Sequence, residues 1–443
     1  MKLQTRRDFL IMSAGVGALV AVGVPAVAGN GAPHARRATA ITRVFGDGVR
    51  LSAVSVEYDA PVKSTDLSTA GFRVEGRTVT GVFTSTSADP ADRAETERFV
   101  IVTLASDDAN APLAEKVQGQ GGMPPPAGGS GSGGGPGGSG PGNAGDIPHY
   151  DTVYKHAEAS IVMPGGHTLA TTKVKNLIVD DFHQRKFHDP KTGKMLRYNL
   201  FVPKDYDASK SYPLVLFMHD AGATSDVTRT TLFQGLGAVS WASPEDQARR
   251  PCFVLAPQFA EIIADDDSRT SSMLDTTIDL IKSLAGQYSI DRKRLYTTGQ
   301  SGGCMMSIAM DIKYPEFFTA SFLVAGQWDP TLVKPMARQK LWILVSQDDD
   351  KAYPGQNAIT EELEKNGARI SRAVWDGTWT AQEFQTAFEK INAEGSPINY
   401  VTFRKGTVIP PGESTAGASG HRNTWRIAYT IEPIREWIFR QQG

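Results

Sequence analysis

Gly299-Gln300-Ser301-Gly302-Gly303 is the stretch of this chain best suited to covalent chemistry. A serine hydroxyl is a weak nucleophile until the backbone presents it and a base takes its proton. The G-x-S-x-G pattern serves the first need. Small flanking residues allow a strand-to-helix turn so tight that larger side chains would collide, and the serine oxygen is lifted to the start of the next helix. The context fits: an apolar strand, Leu295 to Thr298, precedes the motif, and a helix from Cys304 to Lys313 follows, ending before Tyr314-Pro315.

The base must be a histidine, and of the eight in the chain only His421 follows Ser301. It sits in the small-residue run Ala416-Gly417-Ala418-Ser419-Gly420-His421, read here as a loop beyond the strand-like Tyr400–Phe403. With the order nucleophile, acid, base, the acid belongs after the second strand beyond the elbow. That strand is Leu341 to Val345, and Asp348, Asp349 and Asp350 come directly after it. One of these three orients the histidine, and Asp329 is a weaker candidate. An oxyanion formed at the attacked carbonyl needs backbone N–H donors. Gly302, next to the nucleophile, supplies one, and Ala221 in His219-Asp220-Ala221-Gly222 supplies the other. His219 reads as a structural loop residue. Cys304, three residues after Ser301, reads as a buried packing thiol, with no disulfide to Cys252.

These groups need a frame that brings distant loops to one edge. From Lys173 onward, near-continuous apolar runs such as Pro213–Met218, Cys252–Ala256, Ala320–Val324 and Ile370–Val374 alternate with helical patterns. Leu274, Ile278, Ile281 and Leu284 mark one buried helical stripe. The alternation predicts an α/β domain over 173–443, a mostly parallel sheet with helices on both faces. Residues 39–165 read differently. Val54, Val56 and Tyr58 alternate with polar residues, Phe99–Val102 is a short apolar run, and Gly46-Asp47-Gly48 supplies a turn. A small β-sandwich is predicted there, interrupted at 119–145 by 14 Gly and 5 Pro in 27 residues. That insertion is read as a flexible loop. The domains are expected to meet near 165–172.

With 46 basic and 48 acidic residues the net charge is −2, and no long basic run argues for nucleic acid or a membrane as partner. Two cysteines rule out a disulfide scaffold or a cysteine-rich metal site. The triplets Asp265–Asp267 and Asp348–Asp350 lack the spacing of a cation loop, so no metal or organic cofactor is expected. Residues 1–28 read as an export signal. Thr5-Arg6-Arg7-Asp8-Phe9-Leu10 has the twin-arginine pattern, the fifteen residues from Leu10 to Val24 are uncharged, and Ala26-Val27-Ala28 offers a cleavage site. A fifteen-residue span is short for a membrane helix, which needs about 20 residues. No membrane association is expected once the signal is removed.

Taken together, the second half resembles the secreted α/β-hydrolases of the polyhydroxybutyrate depolymerase-like and feruloyl esterase-like group. The matching stretches are Ser289-Ile290-Asp291, Gly299–Met306, Tyr314–Phe318, and Gly420-His421 with Trp425. Ile41–Gly48 and Val54–Tyr58 resemble the start of the immunoglobulin-like domain found in two-domain esterases. The resemblance implies Ser301 as nucleophile, His421 as base and Asp349 as acid. The group's usual His-Gly-x-Gly oxyanion motif is altered, since Asp220 replaces its first Gly. The chain is therefore expected to be an exported serine carboxylic-ester hydrolase acting on a small or polymeric ester through an acyl-enzyme. Self-association through the N-terminal domain is one role open to that domain. The alternatives are a prolyl-oligopeptidase-like peptidase and a non-catalytic polymer-binding protein on a hydrolase fold.

Overall fold

The computed structural model describes residues 32–116, 152–415 and 418–443. The expected export signal at 1–28 and the Gly/Pro-rich insertion at 119–145 lie outside the described residues.

The first domain is built on a seven-stranded sheet. Ala35–Phe45 and Gly48–Lys63 form a long antiparallel hairpin closed by the two-residue turn Gly46-Asp47. Gly48 takes a φ of +123°, a backbone that a side chain would strain. Thr96–Leu104 and Val79–Ser85 extend the sheet on one side. On the other side, Thr168–Asn176 runs parallel to Ala35–Phe45 through residues 171–176 and pairs with Ser160–Val162 through residues 168–170. This one strand thus joins Ser160–Val162, and Arg73–Val74 beyond it, to the rest of the sheet. Val54 and Val56 are buried as their alternation predicts, but Ser55 is buried too. Its face is covered by a second cluster, Ile41, Ala53 and Ile101, flanked by Phe83 and Leu177. The domain change expected at 165–172 falls inside or beside the strand Thr168–Asn176, which still belongs to the first domain's sheet. Its polar, alternating sequence gave no apolar run to mark it.

In the second domain nine strands are numbered here in chain order. They are β1 (Phe182–His188), β2 (Met195–Phe201), β3 (Tyr212–Met218), β4 (Phe253–Gln258) and β5 (Ile290–Gln300), then β6 (Ala320–Val324), β7 (Leu341–Ser346), β8 (Ile370–Trp375) and β9 (Ile398–Phe403). Their order across the sheet is β1-β2-β4-β3-β5-β6-β7-β9-β8. β2 runs antiparallel to both its neighbours, β1 and β4, and β3 to β9 all pair in parallel.

Successive side chains of these strands enter opposite faces, as the strand period of two requires. Leu214, Leu216 and Met218 join one apolar cluster with Leu274, Ile278, Ile281 and Leu284 of the helix Met273–Gln287 and with Met305, Met306 and Ile308 of the elbow helix Gly302–Lys313. Val215 and Phe217 join the other cluster, with Phe384, Phe388 and Trp437 from C-terminal helices. That second cluster continues without a break into Val44, Val49, Val54 and Val100 of the first domain. The first domain is docked on one face of the second domain's sheet by the same apolar packing that holds each domain together.

Candidate active site

β5 ends at Gln300, and Ser301 turns the chain into the elbow helix with φ +52° and ψ −118°. A non-glycine residue at positive φ is strained, and such strain collects at functional turns. Two residues to either side of it only glycine fits. A Cβ on Gly303 would run into the Met218 and His219 carbonyls, and one on Gly299 would run into the backbone of Gly303 and Cys304. The elbow is therefore wedged between its own helix and the end of β3.

The side chains expected to meet do so. Ser301 Oγ lies 2.8 Å from His421 Nε2, and His421 Nδ1 is hydrogen-bonded to Asp349 Oδ2. Asp349 is 3% exposed, and its other oxygen accepts from the backbone N–H groups of Lys351 and Ala352 at 3.1 and 2.8 Å. Those donors belong to the start of the helix Ala352–Lys365, which fixes the carboxylate's orientation. Asp348 turns elsewhere, accepting from the Gly406 N–H at 2.7 Å, and Asp350 is exposed. Asp329 is exposed and caps the short turn Pro330–Leu332, accepting from Thr331 N–H and Oγ, which hold its carboxyl below the usual carboxylate range. Of the four acids considered, Asp349 is the one bonded to His421.

One expectation is corrected. His421 is not on a loop but in the first turn of a helix, Ser419–Ala428. The run of Ala, Gly and Ser before it gave no apolar periodicity, and the helix is anchored instead by residues further on, Thr424 and Ala428, both fully buried. Trp425, one turn beyond His421, meets the imidazole edge-on at 4.9 Å between ring centres.

Ala221 and Gly302 each open a helical turn, so neither N–H has an acceptor within its own turn. The two are neighbours: a Cβ on Gly302 would stand 3.6 Å from the Ala221 nitrogen. His219 is buried, with Nε2 accepting from the Phe259 N–H at 3.0 Å and Nδ1 held 2.7 Å from the Asp220 carbonyl. Burial holds its pKa below the ordinary imidazole value, so it is a neutral strut for the loop. Sequence reasoning missed Gln300, whose amide bridges to Asp220 and Gln234. Its place next to the nucleophile was the available signal. Cys252 and Cys304 are free and buried, and burial pushes both thiols up, Cys252 to about 12. Among the described residues, no helix is long and apolar enough to cross a membrane.

The strand order, the strained elbow and the docked β-rich domain define an α/β-hydrolase fold preceded by an immunoglobulin-like domain. Residues 37–174 match the family described as the esterase Ig-like N-terminal domain. The chain is also similar, over 92% of its length and 100% of the other chain, to the crystal structure of a thermostable esterase, with 24% identity and a TM-score of 0.73. More distant likenesses include a mutant feruloyl esterase module from Clostridium thermocellum complexed with sinapinate, 10% identical over 56% of this chain and 87% of that one, TM-score 0.38. A puromycin-hydrolyzing peptidase from Mycobacterium tuberculosis is 15% identical over 65% of this chain and 45% of its own, TM-score 0.41. No curated protein matches the sequence.

Proposed function

We propose that the protein is a serine carboxylic-ester hydrolase working through an acyl-enzyme, with Ser301, His421 and Asp349 as its triad. The observation that carries this reading is the continuous hydrogen-bonded series from Ser301 Oγ through both His421 nitrogens to buried Asp349. Ser301 Oγ attacks the ester carbonyl while His421 Nε2 takes its proton. Asp349 holds the imidazole in the tautomer that accepts at Nε2 and stabilises the imidazolium that forms. The N–H groups of Gly302 and Ala221 receive the oxyanion, and the helix N-terminus at Gly302 favours its charge. His421 then gives its proton to the departing alkoxide, releasing the alcohol. Water, deprotonated by His421, attacks the acyl-enzyme, and collapse of the second oxyanion frees the acid and restores Ser301.

In the same reading the chain is exported through its twin-arginine-type N-terminus, supported by the residue pattern of Thr5–Leu10. The deciding experiment compares the protein lacking residues 1–28 with its Ser301→Ala variant on p-nitrophenyl esters of increasing acyl length, beside a peptide p-nitroanilide. Ester turnover lost in the variant is the expected result. Peptide cleavage would instead favour a peptidase. Absence of ester turnover, together with failure of a fluorophosphonate to label Ser301, would overturn catalysis altogether.

A further inference from the structure

We propose that Asp220 is a positioning residue for the oxyanion donors, its carboxylate tying the loop that carries Ala221 to the elbow that carries Gly302. The inference rests on the esterase reading above and assigns a part that reading does not contain.

Asp220 stands where the resembling group has glycine, so the question is what the carboxylate adds. Its Oδ1 accepts from the Gly222 N–H at 2.9 Å, closing the turn in which Ala221 is the first residue. Its Oδ2 accepts from Gln300 Nε2, also at 2.9 Å. Gln300 immediately precedes Ser301 and is 1% exposed, so this amide has no access to water. A carboxylate only accepts, which fixes the Gln300 amide with its NH2 group toward Asp220. The same nitrogen reaches Gln234 Oε1 at 3.3 Å, while Gln300 Oε1 is buried without a partner. The bridge therefore continues the β3–β5 pairing, which ends at Met218 and Gly299, into the loop after β3.

The first domain backs this bridge. Tyr154, in the strand Thr152–Tyr154, packs its ring on Phe233 at 5.4 Å between centres, next in sequence to Gln234. Its phenol is held protonated by burial and then by the negative charge of Asp220. Two donors serve an oxyanion only at about 2.7–3.1 Å from its place, and an error of about 1 Å costs on the order of 100-fold in rate. Without the bridge, the loop bearing Ala221 would be held to the elbow only by the β3–β5 pairing and the packing of Gly303 on Met218 and His219, which stop short of Ala221 itself.

The test uses the full chain with p-nitrophenyl acetate and a trifluoromethyl ketone, which forms a tetrahedral adduct at the nucleophile. Asp220→Ala and Gln300→Leu are each expected to lower kcat by about 10- to 100-fold with KM changed less than about threefold. The ketone should bind more weakly by the same factor. The double variant should fall no further than the worse single one, since both remove one bridge. Asp220→Asn should recover most of the rate, because its amide still accepts from Gly222 and a turned Gln300 amide can meet its NH2. Unchanged kcat in the single variants, or losses that multiply in the double one, would overturn the proposal. Should Asp220→Ala not fold, Gln300→Leu with the ketone decides alone. A wild type that neither turns over ester nor takes fluorophosphonate at Ser301 fails the esterase reading and this inference with it. An active wild type with indifferent variants removes this inference only.

Discussion

Gly420 packs directly on Asp348, so closely that a Cβ on the glycine would collide with the aspartate's Cβ and lie 2.6 Å from its carbonyl oxygen. The next residue on each side belongs to the proposed triad: His421 follows Gly420, and Asp349 follows Asp348. Close backbone approach of the two segments is what brings imidazole and carboxylate into hydrogen-bond range. The pairing of acid and base is thus set one residue upstream of both.

The three aspartates separate by function. Asp349→Asn should lower kcat by about 10⁴-fold, because the amide presents the wrong partner to His421 Nδ1–H. Asp350→Asn should change kcat less than about twofold, since its side chain is exposed. Steady-state kinetics on one p-nitrophenyl ester reads both. Equal effects at the two positions would refute the assignment.

Gly299 and Gly303 should tolerate no side chain. Gly303→Ala sets a methyl group against the carbonyls of Met218 and His219, a backbone obstacle that cannot rotate away. Destabilisation of more than about 3 kcal/mol is expected, at the severe end for point substitutions. Chemical denaturation, or loss of soluble protein on expression, measures it. Wild-type stability in this variant would mean that the strand β3 and the elbow helix are further apart than described.

The first domain should matter to the base. A Cβ on Gly46, at the tip of its long hairpin, would fall 2.5 Å from both the Cγ and the carbonyl oxygen of Arg426. Arg426 lies on the helix Ser419–Ala428 that carries His421. Gly46→Val should therefore lower kcat and slow fluorophosphonate labelling of Ser301 by a similar factor, about tenfold or more by displacement of the helix. Unaltered labelling would show that the hairpin tip does not bear on His421.

Stability should fall as pH rises toward neutrality because of Asp311. This residue of the elbow helix is buried, hydrogen-bonded by Ser321 on one side and without a partner at Oδ2. Burial raises its pKa from 3.8 to about 7. The folded chain thus binds this proton more tightly than the unfolded one. The benefit is complete below pH 3.8 and is lost as pH rises to 7. At about 1.4 kcal/mol per unit, the swing is a few kcal/mol. Relative to wild type, Asp311→Asn should be more favourable at pH 8 than at pH 4 in thermal or urea melts. Parallel curves at the two pH values would show that the carboxyl titrates normally.

Much of this site was legible because the chemistry needs rare combinations. Ser301 was marked by its glycines and His421 by being the last histidine, and neither mark depends on tertiary detail. The parallel strands were readable because burial on both faces makes their sequences continuously apolar, as in Leu341–Val345. The strand Thr168–Asn176 was hidden for the opposite reason. Its Thr and Lys residues are largely exposed, and it is held by ladder hydrogen bonds that any sequence can make. The helix bearing His421 was hidden by its small-residue start, since its order comes from contacts with a loop some seventy residues earlier. Asp220 was visible as a departure from a pattern, yet its partner Gln300 could be found only once two distant turns stood side by side.

The passage of Thr168–Asn176 through the first domain has a mechanical consequence. Only five residues separate its end from β1; Asn176, at that end, is bonded through its N–H and its side-chain amide to Asp180 among them, and Val179 is buried. The junction is therefore a weld and not a tether. Torque on the immunoglobulin-like domain, from a surface or a polymer it touches, would pass straight into the sheet of the second domain. A shortened chain beginning at residue 173 would carry the torn half of a strand whose neighbours had been removed.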